Sequence, residues 1–171
     1  MAKIYDFHKS KGELEMRVYS SVDVVSQYFL SKSSMSHKKL QKLVYYAYAW
    51  TLALLNDRED NIDNMLFTSK FEAWVHGPVC PELYHKYKVY GWEDLPKIGI
   101  FKNTFPSEVI GILDQVWQVY GGYSGDDLEH ITHKEQPWIE ARKGLFPFDP
   151  CNNNISNIDI YRYYNKIANE G

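Results

Sequence analysis

SHKKLQKLVYYAYAWTLALL, residues 36–55, carries three lysines and then no formal charge from Leu43 to Leu55. Leu40, Leu43, Ala47, Trp50 and Leu54 fall on one helical face, with Val44, Tyr48 and Leu55 beside it, so every apolar spacing a helix can use is filled. At 1.5 Å per residue such a helix is roughly 25–30 Å long, about the width of a small domain. Its circumference has to be covered by other elements. The fold class expected is therefore all-α: a compact multi-helix domain around one central apolar helix, with room for a small β-hairpin or short strands. The stretch is too short and too rich in tyrosine for a membrane span, which needs about 18 or more apolar residues. Lys38 and Lys39 read as solvated lysines near the positive end of the helix dipole, whereas Lys42 lies close to the apolar face.

Outward from this helix the chain divides readily. Residues 1–19 mix charge with isolated apolar residues and read as an N-terminal extension with at most a short strand. Residues 20–171 read as the domain. Ser21 can cap a helix carrying Val22, Val25 and Phe29, and Leu30 to Ser36 is a linker with Ser33, Ser34 and Ser36 as further cap candidates. Asn56 to Asn64 (NDREDNIDN) is an exposed loop. Ser69 with Glu72 fits a capping box opening a short helix through Phe71, Trp74 and Val75, stopped by Gly77-Pro78. Pro81 opens another helix, with Leu83, Tyr84, Tyr87 and Val89 or Tyr90 on its apolar side. Residues Trp92 to Thr104 form a connection that packs Leu95, Ile98, Ile100 and Phe101 over the core, with a small hairpin as an option there. Helices follow from Pro106 to Tyr120, from Ser124 to about Lys134, at Pro137, and from Ser156, the last burying Ile158, Tyr161, Tyr164 and Ile167.

A chain of 171 residues can bury a sizeable core without disulfide or metal staples. Its formal net charge of -3 offers no basic excess to displace counterions from phosphates, which argues against direct nucleic-acid binding. Two cysteines, Cys80 and Cys151, and no apolar leader point to a reducing cytoplasm. Aromatic residues make up 16% of the chain, enough to fill a core and leave anchors for an interface.

Candidate chemistry is sparse. His130, His133 and Glu135 lie close together, but zinc takes four ligands, or three and water, and no second His or Cys pair has ligand spacing. His133 is better explained as fixing the Pro137-Trp138 turn by a side-chain to backbone hydrogen bond. Cys80, near His76 and His85, lacks an ordered base and reads as a small buried residue rather than a nucleophile. Asp126 and Asp127 are explained by a helix start, and no phosphate-cradling glycine loop or basic recognition helix occurs. No cofactor, metal or catalytic set is expected.

Three blocks in order carry a family resemblance: Lys39 to Trp50 (KLQKLVYYAYAW), Phe71 to Gly91 (FEAWVHGPVCPELYHKYKVYG) and Leu113 to Arg142 (LDQVWQVYGGYSGDDLEHITHKEQPWIEAR). Leu40-Gln41-Lys42-Leu43, then Ala73-Trp74-x-His76-Gly77-Pro78-Val79 with Pro81 and Tyr84, then Leu128-x4-His133-x-Glu135-x-Pro137-Trp138 resemble the Panacea antitoxin domain, also named after the SocA antitoxin and the phage-associated GepA proteins. The resemblance covers the chain from about Ser20 onward and leaves the extension outside the pattern. Nor is a DNA-binding or zinc module appended, as some relatives carry.

That resemblance implies a mostly helical, non-enzymatic domain that neutralises a co-encoded protein toxin by direct contact, in a prophage or plasmid-type pair. A SocA-like member instead works as an adaptor delivering its toxin to the ClpXP protease; a metal-dependent or thiol enzyme is the remaining alternative. Leu40, Lys42, Leu43, Trp74, Pro81, His133, Glu135, Pro137 and Trp138 are read as structural residues of the motifs. The His76-Gly77-Pro78 turn, with Tyr84 and Tyr87 on the following helix, is expected to border the toxin contact.

Overall fold

Two serines start the first two helices of the computed structural model, which describes residues 15–171. Ser21 caps α1 (Val22–Lys32) by accepting from the Val24 N–H, and Ser36 caps α2 (His37–Leu55) by accepting from the Lys39 N–H. Of the 19 residues of α2, 13 are buried, and Leu40, Leu43, Val44, Tyr46, Ala47, Ala49 and Leu52 have no exposed surface. Leu54 departs from the expected buried face and is exposed, although Leu52 and Ala53 in the same turn are buried. No helix among the described residues is long and apolar enough to cross a membrane.

The elements around α2 come from the whole chain. β1 (Arg17–Val18) pairs in parallel with β2 (Asn64–Met65), and β3 (Glu72–Trp74) pairs antiparallel with β4 (Gly77–Val79). Then follow α3 (Pro81–Tyr87) with a 3-10 turn at Lys88–Tyr90, α4 (Ser107–Tyr120), α5 (Gly125–Thr132), α6 (Gln136–Ala141) and α7 (Asn157–Glu170). Contacts to α2 are made by α1, α3, α4, α5, α7, β2 and β4. The expected strand of the extension is seen only at Arg17–Val18; the remainder of that expectation falls on residues 1–14, outside the described residues.

The fold is thus mostly helical with two small strand pairs, and one segment corrects the sequence expectation outright. Residues 71–79 form a hairpin, not a short helix capped by Ser69. Neither half of the anticipated capping box is available: the Ser69 hydroxyl donates to Glu82 (2.6 Å), and the Glu72 carboxylate accepts from the Trp74 indole (2.6 Å). The backbone is used sideways instead. Ala73 N–H donates to the Asn153 carbonyl (2.9 Å), Ile155 N–H donates to the Phe71 carbonyl (2.8 Å), and Glu72 bridges Asn154, so three segments lie edge to edge. Phe71 and Ala73 are buried while Glu72 between them is not, the period of two that a strand requires.

Smaller corrections concern the 92–104 connection and the apolar sides of two helices. Residues 92–104 form no hairpin of their own; Leu95 makes a single bridge to Met35 at the end of α1 and packs inward, while Ile100 stays exposed. On α7 the buried side is Ile160, Tyr161 and Tyr164, with Ile158 and Ile167 exposed, and Val89 beyond α3 is exposed too. α7 thus meets the core along a narrower arc than its apolar pattern allows.

Where α2 faces α4, α6 and α7 the core turns polar. Tyr46 stacks on Tyr120 at 3.9 Å and donates its hydroxyl to Glu135 Oε1 at 2.8 Å, while Trp50 Nε1 donates to the Tyr120 hydroxyl at 3.2 Å. Glu135, immediately before α6, is buried. Loss of solvent pushes its carboxyl up to about 7, although the Tyr46 hydrogen bond favours the charged form.

Glu135 therefore holds its proton more tightly folded than at the ordinary value of 4.5, and the folded state should lose stability as pH rises from about 4.5 to about 7. Glu135→Gln keeps an acceptor for Tyr46 but cannot ionise. Urea unfolding at pH 5 and pH 7.5 should show the wild-type chain losing up to about 3 kcal/mol more than the variant across that interval. Equal losses would mean that Glu135 does not titrate between folded and unfolded chains.

Candidate functional site

Lys42 occupies the inward side of α2, 1% exposed, and its amine donates to the Pro78 carbonyl at 3.0 Å. Burial pulls this amine down to about 7, with Glu129 opposing the shift and Lys38 adding to it. The preceding residue works on the same strand. Gln41 accepts from the Cys80 N–H (2.9 Å) and donates to the Cys80 carbonyl (3.2 Å), so its amide pairs with the backbone just after β4 as a neighbouring strand would. Two consecutive α2 side chains thereby seat the hairpin against the helix.

The turn that results has room for glycine alone. Gly77 has φ +97, and a Cβ there would lie 2.8 Å from Lys42 Cε and 2.8 Å from Thr132 Oγ1. Gly77 and Pro78 are buried, whereas His76 at the tip is exposed. His76 Nδ1 meets Glu129 Oε1 at 2.8 Å; Lys38 donates to Glu129 at 2.6 Å and to Asp126 at 2.8 Å; His133 Nε2 lies 4.0 Å from Glu129. Glu129 is thus the hub of the cluster. Its partial burial works against ionisation, but the hydrogen bonds from Lys38 and His76 outweigh it and leave the carboxyl below its ordinary range. Burial moves His133 in the opposite direction from a charged partner's pull and lowers it, despite Glu129 and a hydrogen bond to the Val75 backbone.

His76 separates two open concavities. One, of about 500 Å³, is lined by Trp74, Val75, His76, Pro150, Cys151 and Asn152. The other, of about 370 Å³, is lined by Lys38, His76, Asp126, Glu129, His130 and His133. Trp138 ties the floor together: its indole donates to the Trp74 carbonyl at 2.9 Å and its ring stacks on His133 at 4.2 Å. Beside it Arg142 is buried, with no carboxylate among the described residues at bonding distance. Its guanidinium donates to the carbonyls of Ala73 (2.9 Å), Asp149 (2.7 Å), Pro147 (3.2 Å) and Phe146 (3.4 Å), pinning the 146–149 turn to β3.

The residues singled out in the sequence are mostly brought together here. Leu40 and Leu43 are core, Lys42 holds β4, Pro81 opens α3, Pro137 is buried at α6, and Trp74, His133 and Trp138 interlock under the turn. His133 fixes that corner by stacking on Trp138 and bonding Val75, rather than by a bond within the Pro137-Trp138 turn. Tyr84 packs edge-on against Trp74 at 4.8 Å; Tyr87 lies with Tyr90, at 6.4 Å, and lines neither concavity.

The sequence reading missed other members. Lys38 and Lys39 are not merely solvated: Lys38 bridges Asp126 and Glu129, and Lys39 donates to the Gly121 carbonyl at 2.6 Å, so both bind the start of α2 to α5 and the end of α4. Gln41, Glu129 and Arg142 also went unassigned. The one available signal was Glu129 lying four residues before His133, which puts both on one face of a helix. The Cys80 thiol is fully buried and raised by that burial, the opposite of an activated nucleophile. Among the described residues no three His, Cys, Asp or Glu side chains are grouped to hold a metal ion.

Against this geometry, the family described as antitoxin SocA-like, Panacea domain, matches residues 40–139, more than half of the chain. No curated protein and no solved structure matches it. The matched span runs from Leu40 to Ile139 and contains Lys42, the hairpin, Glu129 and Trp138.

The buried amine has a pH signature. Folded Lys42 releases its proton near 7 and unfolded Lys42 near 10.5, so the unfolded chain binds more protons between those values and stability rises with pH there. Comparing Lys42→Met with wild type by urea unfolding at pH 7 and pH 9 should show the wild-type chain gaining roughly 2 kcal/mol that the variant does not gain. A variant that tracks wild type across the interval would show that the amine is charged in both states.

Proposed function

Because the chain belongs to the SocA-like antitoxin family of the Panacea domain, we propose that it is the antitoxin of a toxin–antitoxin pair and neutralises a co-encoded protein toxin by direct contact. The observation that carries this is the family match to residues 40–139, and the three blocks of sequence that resemble the family meet at one place: α2 through Gln41 and Lys42, the hairpin through its turn, and the α5–α6 corner through His133 and Trp138. The contact centres on the His76-Gly77-Pro78 turn. Gly77 and Pro78 fix its shape from beneath, Tyr84 braces Trp74, and Tyr87 lies at the margin. Residues 20–171 act as one unit in this scheme, and the two free cysteines suit a toxin met in a reducing cytoplasm.

Binding rather than catalysis is supported by where the reactive groups lie. Cys80 is sealed in the core, Lys42 and Glu135 are consumed by internal hydrogen bonds, and the exposed polar residues surround a rigid turn. A preformed turn loses little conformational freedom when a partner closes on it, which favours its use as a contact.

The test is co-expression with the product of the neighbouring open reading frame. The chain should restore growth and co-purify with that product, and His76→Ala should weaken the complex by about tenfold or more while lowering thermal stability only slightly, since the His76–Glu129 bond it removes is solvent-exposed. Growth that is restored only where ClpXP is present, with the toxin disappearing, would identify the chain as a delivery adaptor. Failure of the wild-type chain to restore growth or to bind would overturn the antitoxin assignment.

A further inference from the structure

The most exposed aromatic residues beside the hairpin turn lie outside the span that the family match covers. Ile139, at the end of that span, and Leu145 are exposed, and Phe146 and Phe148 are 78% and 87% exposed. Large apolar side chains are seldom left this open in neighbouring positions without a partner to cover them. These are not on a loose strand. Gly144 turns the chain with φ +86, Phe146 N–H donates to the Asp149 carboxylate (2.8 Å), Asp149 N–H donates back to the Phe146 carbonyl (3.1 Å), and the buried Arg142 holds three carbonyls of the turn. The same loop continues into Pro150, Cys151 and Asn152, which form one wall of the apolar concavity whose other wall is Trp74, Val75 and His76.

On the far side of His76 the second concavity has two carboxylates, Asp126 and Glu129, against one ammonium, Lys38, which both carboxylates already share. Both acids depend on that one ammonium, and Asp126 is largely open to solvent. The complementary group is a cation.

We infer that this end of the molecule, from Phe146 and Phe148 across the hairpin turn to Asp126, is a single two-part docking surface, and that the toxin covers it with an apolar side chain next to a lysine or arginine. The apolar group fills the cleft between His76 and Pro150, whose Pro150 wall continues the loop that carries the two phenylalanines; the cation lies against Asp126 and Glu129. This rests on the antitoxin assignment and adds to it a loop and a partner chemistry that the family match does not include. Because Arg142 and the Asp149 bonds hold the loop in place before binding, the phenylalanines should behave as rigid anchors.

The experiment uses the full chain and the purified product of the neighbouring open reading frame. Phe146→Ser with Phe148→Ser should weaken binding by at least about 30-fold, and Asp126→Lys by about tenfold with loss of the salt sensitivity that wild-type binding shows. The phenylalanine variant should unfold at the wild-type urea midpoint, since both side chains project into solvent; Asp126→Lys also gives up the Lys38 bond, so its binding is compared under conditions where urea unfolding shows it fully folded. An independent readout needs no substitution: Cys151, half-buried in the cleft, should be alkylated by a maleimide in the free chain and protected in the complex, while Cys80 stays unreactive in both. Tight wild-type binding with an unaffected phenylalanine variant and unprotected Cys151 overturns this surface and leaves the antitoxin assignment standing. No binding by the wild-type chain defeats both. Protection of Cys151 that appears without toxin as the chain is concentrated would make the occupant a second copy and overturn the partner named here.

Discussion

A single amine in the wrong place for an amine, Lys42 Nζ on the Pro78 carbonyl, is the constraint around which this end of the molecule is arranged. Removing an ammonium from water carries a penalty of several kcal/mol unless fixed dipoles or a counter-charge replace the solvent. Here a carbonyl accepts from it and Glu129 lies near enough to favour the charged form, yet the compensation is incomplete and the amine is left near neutrality. The hairpin cannot move off α2 without stranding that group. Gly77 then has to be glycine, because Lys42 and Thr132 fill the volume a side chain would need.

From that seat the other contacts follow in sequence. With β4 held by Gln41 and Lys42, the carbonyl of Trp74 is presented to the Trp138 indole and that of Ala73 to the Arg142 guanidinium. Trp138 stacks on the His133 ring and also has the Arg142 guanidinium over its ring, 5.0 Å from its centre. The motif residues are therefore mostly internal: they build a stiff corner and leave His76, Asp126 and His130 outside it. Shape is set by the buried groups, and whatever meets this corner reads the few groups left on the surface.

Two consecutive polar residues in an otherwise apolar helix were the visible sign of this arrangement, but their target was not visible. Gln41 and Lys42 are 39 and 36 residues distant from Cys80 and Pro78. The hairpin itself was open to recognition, since Phe71 and Ala73 alternate with Glu72 and Gly77 follows two residues after Val75. A local capping pattern at Ser69 and Glu72 competed with it, and the strand prevailed because the Asn153–Ile155 segment supplies backbone partners that a local pattern cannot anticipate. The same distance effect applies to Lys38, whose carboxylates lie about 90 residues onward, at separations of 88 and 91.

The amino-acid sequence by itself determined the mostly helical class, the span of α2, serine caps at 21, 124 and 156, and the family, because each depends on periodicity, neighbouring residues or ordered motifs along the chain; which of Ser33, Ser34 and Ser36 caps α2 it left open. Only the tertiary structure decided that Lys42 is buried, that residues 71–79 form a hairpin, and that Phe146 and Phe148 stand clear of the core beside it. Those outcomes depend on which distant backbone groups arrive to accept a hydrogen bond and which apolar side chains the core has no volume left to admit. Both are properties of packing in three dimensions, where residues far apart in the chain compete for the same space.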